Sequence, residues 1–254
     1  MNFLASVAAY FSGGTRESKP IEHNPCPASG LGSVGHGQLS RTFRIMFVNG
    51  CSYEEEETWT AAKRISELFQ KCTGKETEVY YTHAPITARE VVSYVRWNID
   101  PPGGKLLLKN IRRQLKHLRA QKDDALGEPK NIGRLALVLH SGAGALLSSI
   151  KERLTPKERK KIDVISFGSS CMFKKEDFHK ALNFVAYWDP IPRLAQLVAS
   201  PWQSPEEILP AGSIWQVPVV VHTFLRPPYQ EALGQVVRAY VQENTLSAAY
   251  GVTR

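Results

Sequence analysis

Leu137-Val138-Leu139-His140-Ser141-Gly142-Ala143-Gly144-Ala145-Leu146-Leu147 passes from a strand pattern to a helix pattern through one serine, with no residues left for a loop. A turn that sharp strains the serine backbone, and only small neighbours let the helix start pack back on the strand end. Gly142, Ala143 and Gly144 supply that space. The Ser141 hydroxyl is then lifted above the edge of a sheet. The Gly142 N–H, at a helix N-terminus, is placed to meet an oxyanion.

Outward from this passage, short apolar runs alternate with amphipathic stretches. Runs at Arg44 to Val48, Glu78 to Thr82, Arg134 to His140, Ile162 to Phe167, Asn183 to Tyr187 and Val217 to Val221 read as buried strands. Between them Glu54 to Cys72, Lys105 to Lys122, Gly142 to Leu154, Lys174 to Leu182, Pro190 to Ala199 and Tyr229 to Asn244 read as helices. Continuous apolar strands alternating with helices imply an α/β fold: a mostly parallel sheet of about six strands with helices on both faces. No repeat is visible, so residues 43–254 are expected to form one domain.

The chain has 254 residues, of which 43% are hydrophobic and 22% charged, enough apolar material for a core and too much for disorder to dominate. Residues 1–42 differ: from Ser12 to Ser40, 14 of 29 residues are Gly, Pro or Ser, which predicts a flexible tail. Within it, Gly30-Leu31-Gly32-Ser33-Val34-Gly35 fits the dinucleotide-binding pattern by letter. That pattern needs a strand before it and a helix after it, and Asn24-Pro25-Cys26-Pro27 and His36-Gly37-Gln38 offer neither. His23 and Cys26 lack a second pair of ligands, so no metal is expected. Cys26, Cys51, Cys72 and Cys171 match neither a zinc ribbon nor a disulfide scaffold and read as free thiols in a reducing, cytoplasmic setting, with non-classical export left open. No run approaches the length of a membrane span, and Phe3 to Phe11 lacks the basic start of a signal peptide.

Acyl transfer from a serine needs a base within hydrogen-bond reach and a carboxylate to orient that base. In a hydrolase of this layout both follow the serine, each just past a strand. Of six aspartates only Asp189 follows a buried strand at once, and of seven histidines only His222 ends a late strand. Each has a plainer reading. Ser141 and Asp189 suit helix caps, and His222 suits a polar strand end. Three such residues at successive strand ends, in the order Ser141, Asp189, His222, favour the chemical reading.

At these residues the chain resembles the α/β-hydrolase superfamily, whose elbow commonly reads Gly-His-Ser-x-Gly-Gly. His140, Ser141, Gly144 and the trailing Ala-Leu-Leu match, while Leu139 and Ala143 stand where glycines are usual. Ile165-Ser166-Phe167-Gly168-Ser169 and Asp189-Pro190-Ile191-Pro192-Arg193-Leu194 are similar to phrases of the fungal-type (class 3) lipases. The resemblance spans roughly residues 44 to 242. It implies Ser141 as nucleophile, Asp189 as acid and His222 as base, with Tyr229 part of a C-terminal motif. Phe47-Val48-Asn49-Gly50-Cys51 occupies the place of the superfamily's His-Gly turn, so an amide at Gly50 or Cys51 is the implied second oxyanion donor beside Gly142. Phe47 to Phe69 also resembles uncharacterised hydrolase-like proteins of chlamydiae, which adds no mechanism.

The expectation is therefore a serine hydrolase of carboxylic esters, with a small-molecule or lipid ester as substrate and no cofactor. The alternative is a hydrolase fold kept as a binding or interaction module, suggested by Leu139 and the Asn49-Gly50 turn. The net charge of +8 leaves contact with an anionic membrane surface open. The basic face of Lys105 to Lys122 reads as a solvated helix surface rather than a nucleic-acid site. Ala195 to Gln216 reads equally as a flap over a pocket or as a loop covering the core. Oligomeric state is not legible.

Overall fold

In a computed structural model of the chain, the structure describes residues 31–35, 43–84, 86–123, 133–186, 189, 191–192, 207–209, 222 and 224–250. Seven strands are found among them: β1 Leu31–Val34, β2 Phe43–Val48, β3 Val79–Thr82, β4 Arg134–His140, β5 Ile162–Phe167, β6 Lys180–Ala186 and β7 Glu207–Leu209. They form one sheet in the order β1-β3-β2-β4-β5-β6-β7. All neighbours run parallel except β1, which is antiparallel to β3.

The helices are α1 Glu55–Thr73, α2 Ala88–Trp97, α3 Gly103–Asp123, α4 Ala143–Ile150, α5 Pro156–Arg159 and α6 Tyr229–Tyr250. Strand side chains alternate between two apolar clusters, one on each face of the sheet. Met46, Val48, Leu135, Leu137 and Leu139 meet α3 and α4 through Leu107, Ile111, Leu146 and Leu147. Ile45, Phe47, Ala136 and Val138 meet α1 and α6 through Ala61, Ile65, Leu233 and Val237. Truncating a wholly buried residue such as Leu137 to alanine costs about 2–5 kcal/mol in cores of this kind.

Helix ends follow local chemistry. α1 opens with a capping box in which Glu54 N–H donates to Glu57, three glutamates fill its first turn, and Gly74 closes it in the left-handed region at φ 70°. α2 opens with a second box, Thr87 with Glu90.

Three expectations change. Leu31–Val34 falls inside the stretch expected to be a flexible tail, yet it is β1, anchored by the buried Leu31 and paired residue by residue with Val79 to Thr82. Gly32 to Val34 of the glycine pattern lie within this strand. The helix expected from Lys174 to Leu182 is instead a series of turns leading into β6. Lys151 holds Asp177 at 2.8 Å, and the His179 N–H donates to the Arg159 and Ile162 carbonyls, drawing the chain alongside β5. The helix expected over Gly142 to Leu154 is α4 followed by a 3-10 turn, Lys151–Arg153. Val217 to Val221 lies outside the described residues. Of Pro190 to Ala199 only Ile191 and Pro192 are described, both helical. Of Ala195 to Gln216 only Glu207–Leu209 is described, as β7.

Candidate active site

Because β2, β4, β5 and β6 are parallel, their last residues share one edge of the sheet, where ligands of open α/β sheets collect. Ser141 sits there directly after β4, with φ at +54°, a conformation rare for a residue with a side chain. Its surroundings hold the strain in place. The Ser141 N–H donates to Phe167 O at 3.1 Å, and its carbonyl accepts from the Gly144 and Ser170 amides at 3.2 and 3.0 Å. The Ser170 hydroxyl, 3.3 Å from that same carbonyl, also receives the Ala145 amide. Leu139, standing where a glycine is usual, packs wholly into the core facing α3 and α4 and so stays clear of the turn.

The structure brings Ser141, His222 and Asp189 together. Ser141 Oγ lies 2.8 Å from His222 Nε2, and His222 Nδ1 lies 2.9 and 2.8 Å from the two carboxylate oxygens of Asp189. A carboxylate beside Nδ1 places the imidazole proton there and leaves Nε2 to accept from the serine. All three residues are buried. Asp189 is itself fixed: its N–H donates to Ala186 O at 3.0 Å, and Oδ1 accepts the Ile191 N–H at 2.9 Å.

Further groups complete the cluster. Tyr229, at the first position of α6, donates its hydroxyl to Asp189 Oδ2 and accepts the Ala186 N–H at 3.1 Å. Burial and the adjacent Asp189 charge push the Tyr229 phenol well above its ordinary range, so it remains a donor. His140 Nε2 meets the His222 carbonyl at 2.8 Å, and the two rings lie 4.8 Å apart. Burial, then the neighbouring His222, hold His140 well below its ordinary pKa. His140 is thus neutral and donates from Nε2 to that carbonyl. Gly168 must lack a side chain. At φ +54° a Cβ would lie 2.5 Å from Asp189 Oδ2, 2.8 Å from the Tyr229 hydroxyl and 3.1 Å from His222 Nδ1.

The loop after β2 faces this cluster. Buried Asn49 clamps it, donating from Nδ2 to Gly50 O and Ala84 O and accepting the Ala84 N–H at 2.7 Å. A Cβ on Gly50 would lie 2.8 Å from Ser141 Cβ. The Cys51 side chain of this loop packs against Gly142, where a Cβ would lie 2.3 Å from Cys51 Sγ.

Sequence reasoning placed Tyr229 only loosely and missed the bonding roles of His140, Gly168 and Asn49. Glycine at 168 and the polar Asn49 and His140 beside apolar strands were the available signals. Among the described residues no group of three metal-ligating side chains is found. No helix among them is long and apolar enough to cross a membrane.

No protein-family model and no curated protein matches the sequence. Among solved structures, a Trichoderma reesei cutinase in complex with a phosphonate inhibitor is 16% identical with a TM-score of 0.48, over 80% of this chain and 75% of that one. An arylesterase is 9% identical with a TM-score of 0.48, over 94% of this chain and 89% of that one. A dienelactone hydrolase from Anabaena variabilis is 16% identical with a TM-score of 0.42, over 86% of this chain and 94% of that one. Likenesses this loose do not bear on chemistry, and the fold stands on its own strand order. That order, with a serine elbow at the tip of the central strand β4, is an α/β-hydrolase-type arrangement.

Proposed function

We propose that this chain is a serine hydrolase of carboxylic esters, with Ser141 as nucleophile, His222 as general base and acid, and Asp189 as the group that orients the imidazole. The observation that supports it is the unbroken hydrogen-bonded line from Ser141 Oγ through His222 to Asp189. Ser141 Oγ attacks the acyl carbon while its proton passes to His222 Nε2. Asp189 stabilises the imidazolium by charge and keeps its proton on Nδ1. Collapse of the tetrahedral intermediate expels the alcohol, which takes the proton from Nε2. Water then attacks the acyl-serine, giving a proton to Nε2, and collapse of the second tetrahedral intermediate returns that proton to Ser141 Oγ as the acid leaves. The Gly142 and Cys51 amides are the oxyanion donors, and removing one such donor typically costs about 2.7–4 kcal/mol of barrier. Gly50 contributes by letting the loop approach Ser141. No step calls for a metal or organic cofactor.

The substrate is a small-molecule or lipid ester. Exposed Trp97 ends α2 and exposed Ile99 lies just beyond it, with Arg96 stacked over Trp97, which supports presentation at an anionic lipid surface. Cys51, Cys72 and Cys171 are free, in keeping with a reducing compartment. The test combines hydrolysis of p-nitrophenyl butyrate with labelling by an alkyl fluorophosphonate. Turnover and a label on Ser141 are expected, and a folded protein that does neither ends this reading.

A further inference from the structure

The Cys51 side chain rests against Gly142, the residue directly after the proposed nucleophile. A Cβ placed on Gly142 would lie 2.3 Å from Cys51 Sγ and 3.3 Å from the Cys51 nitrogen, so the sulfur rests against Gly142, whose amide is one of the two assigned above as oxyanion donors. On the far side Val91 of α2 closes the space, its Cγ2 3.0 Å from the same Cβ position. An incoming carbonyl oxygen and this sulfur cannot share the site.

We propose that the Cys51 side chain occupies the oxyanion position in the free protein and swings out when an acyl group binds, making residue 51 the gate on acylation. The inference rests on the reading of Ser141 as nucleophile. Only the side chain has to move, by rotation between staggered positions, because the backbone is pinned by the Asn49 clamp and by Ser52 N–H donating to Ile86 O at 3.1 Å. Burial pushes the thiol up to about 12, so the sulfur held there is neutral. Neutral sulfur is a weak acceptor, whereas a developing oxyanion is a strong one. The exchange therefore costs the bound substrate more than it costs the transition state, which suits a gate that opens during the reaction.

The test measures the second-order rate of Ser141 phosphonylation by a small alkyl fluorophosphonate in the parent, Cys51→Ala and Cys51→Val. Removing the thiol is expected to speed the reaction about tenfold, the scale of no longer having to turn a packed side chain out of its seat. Valine, which cannot yield the space as readily, is expected to slow it. An alanine variant no faster than the parent overturns the gate. A second measurement uses the parent alone: the rate at which methyl methanethiosulfonate modifies Cys51, followed on its own peptide, before and after phosphonylation. A rise of about tenfold or more is expected once the phosphoryl oxygen displaces the thiol. An unchanged rate on fully phosphonylated protein defeats the gate alone. Absence of phosphonylation in all three proteins defeats the nucleophile reading and the gate with it.

Discussion

The Tyr229 hydroxyl and the His222 imidazole meet on one oxygen of Asp189: Oδ2 accepts the phenolic proton and lies 2.8 Å from Nδ1. The same hydroxyl accepts the Ala186 amide, so α6, β6 and the imidazole are tied through two atoms. Tyr229→Phe leaves a buried amide unpaired and one carboxylate oxygen short of a donor. The expected loss of stability is about 1–3 kcal/mol, read from the urea midpoint. Ester turnover is expected to fall about tenfold, because the carboxylate that orients His222 loses a support.

Ser141 holds a backbone conformation that costs roughly 1–3 kcal/mol for a residue with a side chain. Ser141→Gly is expected to raise the melting temperature while abolishing turnover. Ser141→Ala removes activity by about a thousandfold or more without that gain, since alanine keeps the Cβ. Thermal unfolding of the two variants beside the parent separates the effects, and equal melting temperatures for Gly and Ala would show that Ser141 carries no strain.

Gly168 touches no substrate in this scheme, yet a methyl there would press on Asp189, Tyr229 and His222 together. Gly168→Ala is expected to destabilise the fold by about 2 kcal/mol or more, through the positive φ and the crowding, and to lower kcat far more than KM. Steady-state kinetics on the folded fraction checks this.

Proton linkage at His140 gives a signed pH dependence. Its folded-state pKa lies well below the ordinary value of about 6.5, so below that pH the unfolded chain binds a proton that the folded chain refuses. Stability is therefore full above about pH 6.5 and declines as pH falls, with a slope of up to about 1.4 kcal/mol per pH unit from this one group. His140→Gln, which keeps a donor for the His222 carbonyl, is expected to flatten that decline between pH 6.5 and 5. His83 and His117, also lowered by burial, leave a residual slope. Urea titrations across pH, parent against variant, provide the measurement.

The central part of the fold was legible because its signals are local. β4 is apolar from Leu135 to Leu139, β5 carries Ile162, Val164, Ile165 and Phe167, and the serine elbow follows from small residues crowded at one turn. Asp189 and His222 were found by their order along the chain. The misread segments depend on partners distant in sequence. β1 has one buried apolar anchor, Leu31, and exists because β3 offers it a free edge. Lys174 to Leu182 has helical spacing of apolar residues, but Asp177 and His179 are held by Lys151, Arg159 and Ile162. α2 did carry a local signal, the Thr87-x-x-Glu90 capping box, which its short apolar pattern obscured. The seat of the Cys51 thiol against Gly142 follows only from bringing the β2 loop to the start of α4.

The antiparallel pairing of Leu31–Val34 with β3 also bears on what a shortened chain would do. A version starting after Gly35 would bare the amides and carbonyls along the outer side of Val79–Thr82, next to the aromatic rings of Tyr80 and Tyr81. An uncovered sheet margin of that kind invites docking by the same margin of another molecule. The short glycine-bearing strand is thus a shield against self-assembly as well as a part of the sheet.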